Sequence, residues 1–148
     1  MKKKWIIEVI SALLIGLFVY ASLSKLLAYN EFRFAMLNQP IPHWSAKLLS
    51  LILPIIELIV ASLLMNSRTR LIGLYASGLL MLIFTSYVGL VLANGFGRIP
   101  CSCGGILKNM GWHVHFVFNI FFLLLAIVGI ILFQKQKTRE RKFSPVMS

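Results

Sequence analysis

A chain of 148 residues that is 59% hydrophobic and only 13% charged, with a mean hydropathy of +0.86, is excluded from the ordinary water-soluble domains and belongs in a membrane. Its formal net charge of +11 does not point to nucleic acid, because the lysines and arginines stand at the ends of apolar runs rather than along one binding face. No internal repeat, P-loop, Rossmann glycine pattern, HExxH or G-x-S-x-G occurs, which disfavours nucleotide binding and hydrolase chemistry.

Four apolar runs reach the roughly 20 residues that a helix needs to cross a bilayer. They extend from Trp5 to Ala28, Ala46 to Met65, Leu71 to Ala93 and Trp112 to Phe133. The expected fold is all-α, a polytopic four-helix bundle over residues 1–134 with the lipid bilayer as its solvent, followed by a basic tail over residues 135–148. Lys2, Lys3 and Lys4, then Arg68 and Arg70, then Lys135, Lys137, Arg139, Arg141 and Lys142 mark three connections as cytoplasmic by the positive-inside rule. Both termini are therefore expected inside. The loop between the third and fourth runs is then expected outside, which for a bacterial inner-membrane protein is the periplasm.

The three N-terminal lysines followed by an apolar run resemble a signal peptide, but the run is longer than a usual hydrophobic region and no A-x-A site follows, so it is expected to stay as a span. Ala12 and Gly16 have the spacing that lets a second helix approach closely. Near the outer end of this span comes Lys25. It reads either as a lysine snorkelling to the headgroups or as the partner of an acid within the membrane.

The connection from Tyr29 to Ser45 carries Pro40, Pro42, His43 and Trp44, and reads as an extended turn leading into an aromatic anchor. Within the second span Glu57 lies near mid-depth, where a charged carboxylate costs at least ~2.5 kcal/mol. It must be protonated, paired or beside water, and both an interhelix hydrogen bond and a proton or cofactor contact would satisfy it. By helical rise it sits about 10 Å deeper than Lys25, so a direct ion pair is expected to be marginal. Pro54, one turn earlier, removes the amide that would bond the Ser50 carbonyl and is expected to kink the helix. The third span holds Thr85, Ser86 and Tyr87 among apolar residues and glycines, with hydroxyls that can bond back to their own helix.

The loop that follows, Arg98-Ile-Pro-Cys-Ser-Cys-Gly-Gly105, contains both cysteines of the chain. A C-x-C pair can close a strained ring, share a soft metal ion or remain as thiols. Strain makes such a disulfide an exchanging one, while Arg98 and Lys108 favour the thiolate that attacks. On the fourth span His115 and Asn119 are four residues apart and share a face, so a histidine able to move a proton stands beside an amide able to orient it. An interface histidine bonded to a loop carbonyl is the plain reading of the same residue. Cys101, Cys103, Met110, His113 and His115 form the competing constellation, a soft ligand set for copper.

These residues together carry a resemblance to a family. Ser24-Lys25 at the end of the first span, Pro54 with Glu57 in the second, and Cys101-Ser-Cys-Gly-Gly105 followed by Trp112, His115, Phe118 and Asn119 make the chain similar to the MauE branch of the MauE/DoxX family. The resemblance implies a four-helix membrane protein of methylamine utilisation that assists disulfide formation in an extracytoplasmic partner, the light subunit of methylamine dehydrogenase. The scaffold is also similar to those of DsbB and vitamin K epoxide reductase, which pass electrons between thiols and a quinone. Those enzymes use two cysteine pairs and this chain has one, so its pair either meets both partner and acceptor or serves as an adaptor. In that reading Cys101 and Cys103 exchange with a thiol/disulfide protein, His115 and Asn119 handle the proton, and Lys25 with Glu57 lines the cavity beneath, where a quinone is the possible cofactor.

Overall fold

The computed structural model describes residues 2–38, 41–93 and 112–144. Five helices follow one another: α1 (Lys2–Leu27), α2 (Tyr29–Leu37), α3 (His43–Met65), α4 (Arg70–Leu92) and α5 (Trp112–Phe143). All except α2 are long and apolar enough to cross a membrane, which makes this a multi-pass membrane protein. Among the described residues there are no strands.

Connection lengths dictate the layout. The segment from Asn66 to Thr69 is too short for anything but an antiparallel α3–α4 hairpin. The nine residues of α2 rise about 13 Å, well short of a span, so α3 must start at the end of the bundle where α1 stops. The most extensive pairings are α1 with α3 and α4 with α5, cross-braced by α3 with α4 and α1 with α5. One end of the bundle thus collects the start of α1, the α3–α4 turn and the end of α5. The opposite end collects α2, the end of α4 and the start of α5.

Apolar burial gives little net drive between helices in lipid, so close packing and hydrogen bonds must supply it. Ile10, Leu14 and Phe18 of α1 interlock with Val60, Ala61 and Leu64 of α3, Leu74 and Met81 of α4 and Ala126 of α5. Gly73 marks the tightest approach, since a Cβ there would stand 2.9 Å from the backbone nitrogen of Leu64 and 3.1 Å from the carbonyl carbon of Leu63. By contrast nothing lies within 4 Å of a Cβ at Gly16, and Ala12 beside it is exposed, so that small-residue pair is not spent on packing inside this chain. Gly73→Ala is expected to cost about 1–3 kcal/mol through overpacking against backbone. Gly16→Ala is expected to be neutral or slightly favourable. Unfolding both variants in mixed micelles checks this, and equal stabilities would mean that the α3–α4 hairpin can open without penalty.

Two features differ from the expectations set by the sequence. The connection after the first span is not simply an extended turn, because Tyr29–Leu37 forms a helix whose Phe32 and Met36 pack against Ala46. The signal lies in the spacing of those two apolar residues, four apart on one face, which the two prolines further on obscure. The last helix continues beyond the apolar run to Phe143, so most of the basic tail is helical, with Gln136 donating to Glu140 one turn on at 3.2 Å. Of the third-span hydroxyls Thr85 bonds back to the Met81 carbonyl as expected, and Ser77 of the same helix donates to that of Gly73 at 2.7 Å.

Candidate functional site

The site is built around an ion pair inside the bundle. Lys25 Nζ stands 2.8 Å from Glu57 Oε1 and 3.1 Å from Oε2, and the two side chains are 5% and 1% exposed. The expectation that the pair would be marginal, with Lys25 free to snorkel, is overturned. The reason is geometric. Helical side chains lean toward the N-terminus of their own helix. In antiparallel α1 and α3 those leans are opposite, so Lys25 reaches deeper while Glu57 reaches outward, and a height difference counted along the backbone is closed by the side chains. Lys25 Nζ also lies 3.4 Å from the Ala21 carbonyl, four residues back, which shows the lean directly.

Neighbouring groups hold the pair in place. Ser22, three residues before Lys25, donates from its hydroxyl to the Pro54 carbonyl at 2.8 Å, three residues before Glu57, and so pins the same two helices one turn away. From the short α2, Phe32 places its ring centroid 5.8 Å from Lys25 Nζ, at the outer limit of a cation–π contact. The lysine's three protons are directed at two carboxylate oxygens and one carbonyl, which offsets much of the cost of burying the charge. Ser22 and Phe32 were not singled out from the sequence. A helix face that carries Ser22 with Lys25, set against one that carries Pro54 with Glu57, was the available signal.

Around this pair all four long helices line one cavity. Lys25 and Glu57 form its polar floor, His115 and Asn119 of α5 face it, and Phe18, Phe84, Tyr87 and Phe118 supply much of the apolar wall. His115 and Asn119 are 7% and 4% exposed. The structure therefore brings together four of the residues singled out from the sequence, and adds Tyr87 of α4. Asn119 Nδ2 is buried and has no hydrogen-bond partner among the described residues. A buried amide nitrogen calls for an acceptor, and the cavity is where one can be placed.

The cavity is small, about 60 Å³. That is room for about two waters at ~30 Å³ each, and far below the ~300 Å³ of the smallest usual ligand pockets.

His113 is exposed while His115 is buried, as expected for residues two apart on a helix, so these two members of the copper constellation face different surroundings. Among the described residues no group of three or more His, Cys, Asp or Glu could hold a metal ion. Cys101, Cys103 and Met110 lie outside the described residues. Tyr87 is five residues before the end of α4, and His115 is three residues after the start of α5, so the cavity lies within about 8 Å, in helical rise, of both ends of the cysteine-bearing segment.

A sequence profile described as "Methylamine utilisation protein MauE" matches residues 3–132, nearly the whole helical bundle. The chain belongs to the MauE family. A curated relative, the methylamine utilization protein MauE of Paracoccus denitrificans, is 29% identical over 111 residues, which are 73% of this chain and 58% of that protein. The chain thus covers under two thirds of the relative's length. No solved structure matches it. The MauE match extends from the lysines that open α1 to the apolar end of α5, so the buried Lys25–Glu57 pair, the cavity and the cysteine-bearing connection all fall within it.

Proposed function

We propose that this MauE-family protein is an inner-membrane thiol–disulfide exchange adaptor that assists maturation of an extracytoplasmic partner. The observation that carries the reading is the convergence of Lys25, Glu57, His115 and Asn119 on one cavity, at the end of the bundle where α4 stops and α5 starts, the two helices between which Cys101 and Cys103 fall in the sequence. A buried charge pair is costly to keep in an apolar bundle and marks a place where chemistry repays the cost. The basic residues gathered at the other end of the bundle support an orientation with both termini cytoplasmic and the cysteines in the periplasm, where disulfides persist.

In the proposed cycle a thiolate of the partner attacks the Cys101–Cys103 disulfide, and a mixed disulfide forms as the other cysteine leaves as a thiolate. A second partner thiolate then resolves it. The partner loses two electrons and becomes a disulfide; Cys101 and Cys103 gain them and become a dithiol. His115 takes up and returns the proton, with a water admitted to the cavity as its relay. The pair is oxidised again by exchange with a second disulfide-bearing protein, which fits a chain with one cysteine pair. The name of the family points to methylamine utilisation as the setting in which such a partner works.

Acid trapping of cells followed by alkylation with a membrane-impermeant reagent tests this. Cys101 and Cys103 should be reachable from the periplasm, cycle between dithiol and disulfide as partner synthesis is switched on, and give a trapped mixed disulfide in Cys103→Ser or Cys101→Ser. A pair that stays in one state whatever the partner does, with no trapped adduct in either variant, would refute the exchange role.

A further inference from the structure

The end of the bundle opposite the cavity carries a second built feature. Where the first turn of α1 meets the extension of α5 beyond its apolar run, Lys2, Lys3, Lys4, Lys135 and Arg139 line a cleft of about 520 Å³. Five cations face one carboxylate, Glu140, and that carboxylate accepts a hydrogen bond from Gln136. Like charges gathered across two helices call for counter-charge, and the lining of the cleft supplies only this one carboxylate.

The depth of the cleft is fixed by its neighbours. Trp5 is 71% exposed just inside the three lysines, and the hydroxyl of Tyr75 on α4 accepts a hydrogen bond from Gln134, the residue before Lys135. Exposed Trp and Tyr mark the headgroup boundary of a membrane protein. Lys2–Lys4 and Lys135–Arg139 therefore stand within about a turn and a half outward of that boundary, at the level of the lipid phosphates. Arg139 adds a planar fork suited to a phosphate's oxygens, and the lysines add mobile point charges. The cleft is within the usual ~300–1,000 Å³ of a small-ligand site.

The geometry points to a binding site for the phosphodiester headgroup of an anionic phospholipid, held between α1 and the α5 extension. The lipid's acyl chains would run down the exposed apolar faces of the same two helices, where Ile6, Val9 and Ile131 are outward. This site shares no residue with the cavity of the proposed exchange reaction.

Native mass spectrometry of the full chain in detergent tests it, with phosphatidylglycerol, cardiolipin and phosphatidylcholine as probes and inorganic phosphate as competitor. Anionic lipid adducts are expected at least about tenfold above phosphatidylcholine adducts at equal concentration. K135Q/R139Q should bring that preference down by about tenfold. K137Q/R141Q removes the same charge from the same helix outside the cleft and should leave most of it. Equal loss in the two double variants would show diffuse charge rather than a site and overturn the proposal. So would equal binding of phosphatidylcholine, and displacement by millimolar phosphate would identify a soluble anion as the occupant in place of a lipid. Because the wild-type preference and the phosphate competition need no variant, a poorly folded variant does not rescue the idea.

Discussion

Lys25→Met and Glu57→Leu, made singly, should each cost about 3–5 kcal/mol of stability, while the double variant should recover most of it. Each single change leaves one ionisable group more than nine-tenths buried without its partner. The double change leaves two apolar side chains of similar volume between α1 and α3, and replacing a buried pair in this way is often neutral or favourable by 1–4 kcal/mol. The coupling between the two positions, read from unfolding of all four proteins in the same micelles, should exceed about 3 kcal/mol. Additive losses would mean that the 2.8 Å contact contributes no coupling and that each group finds another partner.

The double variant also separates fold from chemistry. It should fold, keep the Ser22 to Pro54 hydrogen bond and remain in the membrane, because that bond involves neither exchanged residue. If it also supports partner oxidation at the wild-type rate, the pair is a packing device only. Loss of exchange in a stable double variant would place the pair in the proton or thiolate chemistry of the cavity.

His115→Phe should slow resolution of the mixed disulfide by about 10²-fold or more, the usual contribution of a positioned acid–base group, without comparable loss of stability. His113→Ala should leave the rate within about twofold, because His113 is exposed and His115 faces the cavity. Timed acid quenching of the trapped adduct in the two variants measures this. A copper-handling protein would behave in reverse, with His113→Ala and Met110→Leu reducing metal uptake and thiol cycling absent. Asn119→Leu offers a finer readout. It removes a buried amide nitrogen that has no partner among the described residues, so it should cost little stability, yet it should slow exchange if that nitrogen holds the cavity water.

The membrane class, the four spans and the residues of interest were legible in the chain because each rests on local quantities. Twenty apolar residues announce a span wherever they occur, Glu57 stands out because lipid tolerates no unexplained carboxylate, and His115 with Asn119 shares a face by helical spacing alone. Less legible was α2, whose nine residues carry too weak an apolar pattern to stand apart from the prolines that follow. The helical extension to Phe143 was hidden in the same way, since a run of charges reads as a tail until Gln136 and Glu140 are seen one turn apart.

Meeting of residues was a different matter. Heights counted along single helices put Lys25 and Glu57 too far apart, because a one-dimensional count omits the opposite leans of side chains on antiparallel neighbours. Tyr87 joined the cavity, and Lys2–Lys4 joined Lys135 and Arg139 in one cleft, only once the four long helices had a packing order. The sequence by itself determined that this protein crosses a membrane four times and which polar groups it carries there, since transfer into lipid is priced residue by residue. Only the tertiary structure decided which of those groups neutralise or face one another, since an ion pair or a cavity is a relation between helices and has no value until their register and rotation are set.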